Sequence, residues 1–230
     1  MNPEILSHSR NNGLLEFFKE MAPKYLSEQD LKDYQAGRKT LYSGELYIRK
    51  QLGSLGGIQA VIDENDVQKA TRCNLSKGRV PAEMNLVASH VQIRYGYSLA
   101  LVLPELVDYT NTIYDLADKD FDAGTVGTGD TVYKRAVPVA FANSEYEIKC
   151  DDGLVDKGRT VELLTRNVTN DGANGSAKNA IMLKMPKFLR ADKTLRLDLR
   201  FPDTAVTPAG NHYVEFAIKG IYLGKRPESN

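Results

Sequence analysis

The sequence predicts a mainly β, antiparallel fold of eight strands, a sandwich or barrel, with a helical amino-terminal arm and one large insertion. Two observations carry this prediction. Apolar residues recur at spacings of three and four near the amino terminus, whereas beyond Thr40 they recur at a spacing of two. Clusters of Gly, Asn, Asp and Pro then separate most of the alternating runs, with no regularly interspersed helices, which argues against a parallel α/β sheet.

The arm comprises residues 1–40. Leu14, Leu15, Phe17, Phe18 and Met21 form one apolar stripe of a helix that Pro23 stops. Ser27, three residues before Asp30, opens a second short amphipathic stretch that carries Leu31 and Tyr34 and ends at Gly37. So small an element needs a surface to cover, either its own β domain or a neighbouring subunit.

The β domain, 41–230, is read from four strict alternations. In HVQIRYGY (90–97), Val91, Ile93, Tyr95 and Tyr97 face one way and His90, Gln92 and Arg94 the other. Tyr146, Ile148 and Cys150 alternate with Glu145, Glu147 and Lys149. Leu195, Leu197, Leu199 and Phe201 alternate with Arg196, Asp198 and Arg200, and Val214, Phe216 and Ile218 with Glu215 and Lys219. The less regular runs 57–63, 136–142, 159–166 and 180–185 complete the eight strands. DDGLVDKG (151–158) and NDGANGSAKN (170–179) have the composition of turns. Residues 98–133 interrupt the β pattern as an insertion does.

Composition narrows the function classes. Thirty basic residues balance thirty acidic ones in a chain of 230, which excludes a generally basic nucleic-acid binder. Cys73 and Cys150 are too far apart in sequence for a zinc ribbon or a redox pair and read as small apolar side chains. The amino terminus lacks the pattern of a secretory signal, and no run approaches the ~18 apolar residues of a membrane span, so a cytoplasm-like milieu is expected. The acceptor patterns at Asn74, Asn167 and Asn174 are then turn residues.

No motif announces chemistry. AGTVGTGDT (123–131) lacks the Lys-Ser/Thr of a P-loop and the spacing of a dinucleotide fingerprint. His8, His90 and His212 form no local zinc cluster. There is no G-x-S-x-G elbow. Asp118, Asp120 and Asp122 stand as in a calcium loop, but Gly124 comes one place late and Gly129 replaces the closing Glu, so a solvated acidic turn is expected. The acidic groups Asp63/Glu64/Asp66 and Asp151/Asp152 invite a metal or glycosidase reading, and Arg190, Lys193, Arg196 and Arg200 approach a basic patch that intervening acids dilute. The expectation is no catalytic, cofactor-binding or metal residues and no enzyme.

Charge is unevenly distributed. Residues 101–156 carry 4 bases and 12 acids, a net of −8, and residues 157–230 carry 13 bases and 7 acids, a net of +6. These charges either mingle on one solvated surface or meet between subunits, where they would set orientation.

Helical arm, eight strands, insertion and a closing strand together resemble the plan of jelly-roll capsid proteins of icosahedral viruses. LYSGELYIRKQLGSLGGIQAVI (41–62), NLVASHVQIRYGY (85–97) and HYVEFAIKGIYLG (212–224) are similar to segments of virion proteins of tailless phages of Bacteroidetes-type bacteria. The resemblance covers about half of the chain. It implies a single jelly roll, since a double one needs about sixteen strands. It also implies a structural, self-assembling virion component, made in the host cytoplasm, whose partners are its own copies and other virion proteins, with no sequence-specific nucleic acid. From the residues alone a β-sandwich binding module for glycans or another surface ligand stays open beside it.

Overall fold

The computed structural model describes residues 9–110, 112–113, 137–151, 153–166, 181–203 and 209–225. Two helices, α1 (Ser9–Tyr25) and α2 (Glu28–Gln35), precede strands β1 (Lys39–Leu52), β2 (Ile58–Ile62) and β3 (Asn85–Ser98). Two-residue strands β4 (Tyr109–Thr110) and β5 (Thr112–Ile113) follow, then a one-turn helix α3 (Val139–Ala142), β6 (Glu145–Cys150), β7 (Gly153–Arg159) and the short β8 (Thr165–Arg166). The chain closes with β9 (Ile181–Leu189), β10 (Leu195–Arg200) and β11 (Asn211–Lys225).

Two antiparallel sheets pack face to face. Sheet A runs β1-β11-β3, with β4 and β9 both pairing with β3; sheet B runs β2-β10-β6-β7. The pairing is nested: β1 pairs with β11, β2 with β10, β3 with β9 and β6 with β7. β5 and β8 form a separate parallel pair.

Alternation decides which side chains meet between the sheets. Ile48, Phe216 and Ile93 form one inner row across β1, β11 and β3, and Leu46, Ile218 and Val91 form the next. From sheet B, Leu195, Leu197, Leu199, Tyr146 and Ile148 close on them. In β10 the burial alternates as expected, with Leu inward and Arg196 and Arg200 outward. At the edge of this core His212 Nδ1 lies 2.6 Å from the Tyr95 hydroxyl, and Tyr97 donates to the Ala209 carbonyl.

Two expected strands are not strands. Within 136–142, Pro138 starts a helical turn instead, because proline lacks the N–H a ladder needs and suits a helix start. Within 159–166, β7 ends at Arg159 and a 3-10 turn, Thr160–Leu163, buries Thr160 and Leu163; only Thr165–Arg166 return to strand, as β8. Conversely, DDGLVDKG is a turn only at its start: Asp151 takes a positive φ of 49° and Gly153 already opens β7. The strand β1 is long and was not separately expected; its outer edge is occupied by residues 72–74, where Asn74 accepts from the Tyr47 N–H and donates to the Glu45 carbonyl. Asn74 is thus a side chain standing in for a strand. Asn167, Asn174, His8, Asp152, the 118–131 stretch and the 170–179 run lie outside the described residues, as does most of the expected insertion.

The arm covers one end of the outer face of sheet A. Phe18, Ala22 and Leu26 are buried against Val87, Ile221 and Leu223, with Leu14, Phe17, Leu31 and Tyr34 partly buried around them. The ring of Phe18 meets Tyr34 edge-on at 5.5 Å and stacks on Phe188 at 6.4 Å. Pro23 stands inside α1 rather than ending it. Phe18→Ala is expected to lower stability by about 3 to 5 kcal/mol, the cost of deleting a well-packed Phe, and half-buried Phe17→Ala by clearly less. Urea unfolding measures both; equal losses at the two positions would show that the arm packs differently.

Candidate interaction surfaces

Both faces of β11 are covered. Tyr213, Glu215 and Ala217 point away from the core yet are buried. Register brings Arg49 of β1, Glu215 of β11 and Arg94 of β3 into one row across three strands. Arg49 Nε lies 2.6 Å from one Glu215 oxygen and Arg94 Nε 2.8 Å from the other. A carboxylate removed from water is paired with two guanidinium groups, which makes the row a structural clamp on the sheet.

Residues 99–109 lie over that row. The Tyr213 hydroxyl accepts from the Val102 N–H at 3.1 Å and donates to the Val102 carbonyl at 3.0 Å. Tyr109 donates to the Pro104 carbonyl, and its ring lies 5.6 Å from the Arg49 guanidinium carbon. Burial, with the Glu215 charge adding to it, pushes the Tyr109 phenol above its ordinary range, so it stays a neutral donor. Gly96 is required here, since a Cβ would stand 2.5 Å from Val107 Cγ1.

The acidic group at 63–66 is resolved by a lysine. Lys50 Nζ lies 2.8 Å from Asp63 and 3.1 Å from Asp66, so an ammonium occupies the place a metal reading would give to a cation. Among the described residues no three His, Cys, Asp or Glu side chains gather as a metal site. The thiol of Cys150 is pushed up to about 11 by burial and then by the Asp151 charge, and burial also raises Cys73. Neither is a thiolate nucleophile at neutral pH.

A groove of about 430 Å³ between α1 and sheet A holds the arrangement nearest to a catalytic one: Ser89 Oγ lies 2.8 Å from His90 Nδ1, with Lys219 and Glu45 beside them. The Ser89 hydroxyl is also directed at the Lys219 carbonyl at 3.3 Å, and Ser89 is 5% exposed. Ser89 falls at the register shift of β3, where β3 carries one extra residue against β11 and β9 makes a longer excursion between Met182 and Lys187. The serine thus sits at that bulge, largely buried and bonded to its own strand neighbours.

A second groove, about 440 Å³, is lined by Tyr42, Tyr222, Asn85, Glu83 and the Asp30–Lys39 ion pair that ties α2 to β1. The two Tyr rings stand 5.8 Å apart. The Lys39 ammonium, with Ser27 helping, holds the Asp30 carboxyl below its ordinary range, and Arg38 does the same for Asp33. A lowered folded value means the contribution is complete above the unfolded carboxyl range and is lost as pH falls through the folded one. Acidification below the ordinary aspartate range is therefore expected to loosen α2 before the sandwich opens. Protection of the α2 amides, corrected for intrinsic exchange, reads this out; protection that persists in acid, or Asp30→Asn that leaves it intact at neutral pH, would contradict the clamp.

The outer face of sheet B carries interleaved charge. Arg200, Glu145 and Arg159 stand in one row and Asp198, Glu147 and Lys157 in the next. Lys193 is bonded to Asp151 at 2.8 Å and Arg196 to Asp198 at 2.8 Å, so two of the four bases that approached a basic patch are neutralised locally. The first pair also joins the acidic and basic halves of the sequence within one chain.

One surface is apolar without compensation. Leu99, Leu101, Leu103 and Leu106 are 58%, 72%, 51% and 73% exposed, while the intervening Val102 and Pro104 turn toward the sheet. At about 1.5 to 3 kcal/mol for a fully buried Leu, these four side chains forgo several kcal/mol in water. No helix among the described residues is long and apolar enough to cross a membrane. Compared with known proteins, the chain matches no family model, no curated protein and no solved structure.

Proposed function

We propose that this chain is a jelly roll and a structural, self-assembling protein, a viral capsid or other virion component. The observation that carries the reading is the strand order. Leaving out the two-residue strands, the sheets run β1-β11-β3-β9 and β2-β10-β6-β7. First pairs with last, second with seventh, third with sixth and fourth with fifth. That is the order a long antiparallel ribbon adopts when it is rolled so that alternate hairpin pairs fall in opposite sheets, the arrangement of the two Greek keys of a jelly roll. The exposed leucines support a protein whose work is contact with copies of itself, in the virion, rather than chemistry. Electron microscopy and sedimentation of the purified chain test this: rings, shells or defined oligomers are expected, and a strict monomer at every concentration overturns it.

Jelly rolls also serve as lectins, and the groove at Tyr42 and Tyr222 favours that second reading, because it joins aromatic faces to the polar groups of Asn85, Glu83 and Asp30. Titration with neutral oligosaccharides, followed by NMR, decides it. Shifts confined to this groove and abolished by Tyr42→Ala would favour the binding module, and their absence removes it.

A further inference from the structure

We propose that the cleft beside the turn joining β9 to β10 is a binding site for a small phosphate monoester, whose dianion meets Lys187, Arg190 and Lys193. Its occupancy is independent of self-assembly. The cleft has a volume of about 240 Å³ and lies where the end of β6 and the start of β7, in sheet B, meet the end of β9, in sheet A. Its charged lining consists of Lys187, Arg190, Lys193 and Asp151. Lys193 is bonded to Asp151 at 2.8 Å, whereas no ion pair joins Lys187 or Arg190 to an acid among the described residues. Lys193, with Arg190 helping, holds the Asp151 carboxyl below its ordinary range, so these cations act on one small volume. The described lining thus has a net charge of +2, in a chain whose overall charge is zero. A phosphate monoester carries about −1.5 to −2 at neutral pH and balances it.

The turn that carries two of the cations is fixed in advance. The Ala191 N–H donates to the Asn85 side chain at 3.1 Å, the Asp192 N–H to the Val80 carbonyl at 3.0 Å, and the Lys193 carbonyl accepts from the Val80 N–H at 2.9 Å. Thr194 donates to the Asp151 carboxylate and accepts from the Asp151 N–H. Little backbone ordering therefore remains when a ligand enters. The planar guanidinium of Arg190 suits two phosphate oxygens at once, while the lysines act as point charges. The rest of the lining includes buried Leu189 and half-exposed Leu154, apolar surface on which the organic part of an ester can rest. The small volume suits one ring rather than a larger ligand, since sites for drug-sized molecules begin at about 300 Å³. A nucleic-acid strand would need a continuing track of cations, but on the outer face of sheet B Arg200 and Arg159 alternate with Glu145.

The test is an NMR titration of the full chain with phenyl phosphate, a dianion joined to one ring. Amide shifts are expected at Gly153, Leu154, Arg190 and Lys193. Inorganic phosphate, which lacks the ring, and phenyl sulfate, which carries a single charge, are each expected to bind about 5-fold more weakly or less well still. Arg190→Gln and Lys187→Gln alter residues outside the core, so folding is expected to persist, as circular dichroism would verify, while each weakens binding about 10-fold. Asp151→Asn keeps an acceptor for the Thr194 N–H but releases Lys193, and is expected to tighten binding several-fold, an effect that a purely structural residue would not produce. Lys157→Gln, on β7 but outside the cleft, is expected to change nothing. Shifts scattered over the surface with no preference among the three anions would show counter-ion attraction only and overturn the site, as would an Asp151→Asn variant that binds no tighter. Inorganic phosphate bound as tightly as phenyl phosphate would overturn the monoester, and a single-stranded oligonucleotide that displaces phenyl phosphate at lower concentration would transfer the cations to a nucleic-acid backbone and overturn it too.

Discussion

Leu197→Asp is expected to yield a chain that does not fold. Leu197 is fully buried in the middle of β10, between β2 and β6, and its side chain enters the layer where the two sheets meet. A carboxylate there has no cation within the apolar cluster, and the loss is about 5 kcal/mol or more, comparable to the whole stability of a typical domain. The adjacent Asp198 points the other way, toward Arg196 on the outer face. Asp198→Asn removes one ion pair whose arginine is largely exposed, worth about 1 kcal/mol or less. Expression, circular dichroism and urea titration of the two variants separate these outcomes. Similar behaviour of the pair would invert the assignment of inner and outer faces for the entire strand.

The second large effect is expected at Gly220. It faces Gly44 on β1 and Ala88 on β3, and a Cβ placed on it would stand 1.9 Å from the Val87 carbonyl oxygen and 2.8 Å from its carbon. The obstruction is backbone, which cannot rotate away as a side chain can. Gly220→Ala must separate β11 from β3 at their register shift, and a loss of about 3 kcal/mol is expected, at the upper end of what one added methyl does in a packed interior. Gly13→Ala is the control, because a Cβ there meets nothing within 4 Å. A Gly220→Ala midpoint in urea equal to that of the parent chain would mean that the strands are not so close.

What was legible in the sequence, and what was not, follows from how each strand is solvated. The alternations of β3, β6 and β10 were readable because one side of each pairs with charge: Arg94, Glu147 and Arg196 mark the outer faces. The run 136–142 misled because Val137, Phe141 and Ala142 are all buried, and an unbroken apolar run has no period to distinguish a turn of helix from a strand. The edge strand β7 was hidden by its composition, with Gly153, Asp156 and Gly158 serving a strand exposed on one edge. The Arg49–Glu215–Arg94 row was beyond reach, since its members come from three distant segments and only the pairing register joins them. Glu215 alternated as a solvent-facing residue and proved to be buried, because a second layer, residues 99–109, covers the far side of the sheet.

The nested pairing also dictates an order of events during synthesis. β11 occupies the slot between β1 and β3, so the five-stranded sheet lacks this strand until residues 211–225 have left the ribosome. Until then the inner edges of β1 and β3 are two unsatisfied templates, and Phe216 and Ile218 are missing from the core between them. Contacts that join residue 39 to residue 225 carry a large entropy of closure and form slowly. The nascent chain is thus most prone to pair with a neighbour on the same messenger before β11 emerges, and truncation ahead of β11 leaves β1 and β3 with no strand to join them.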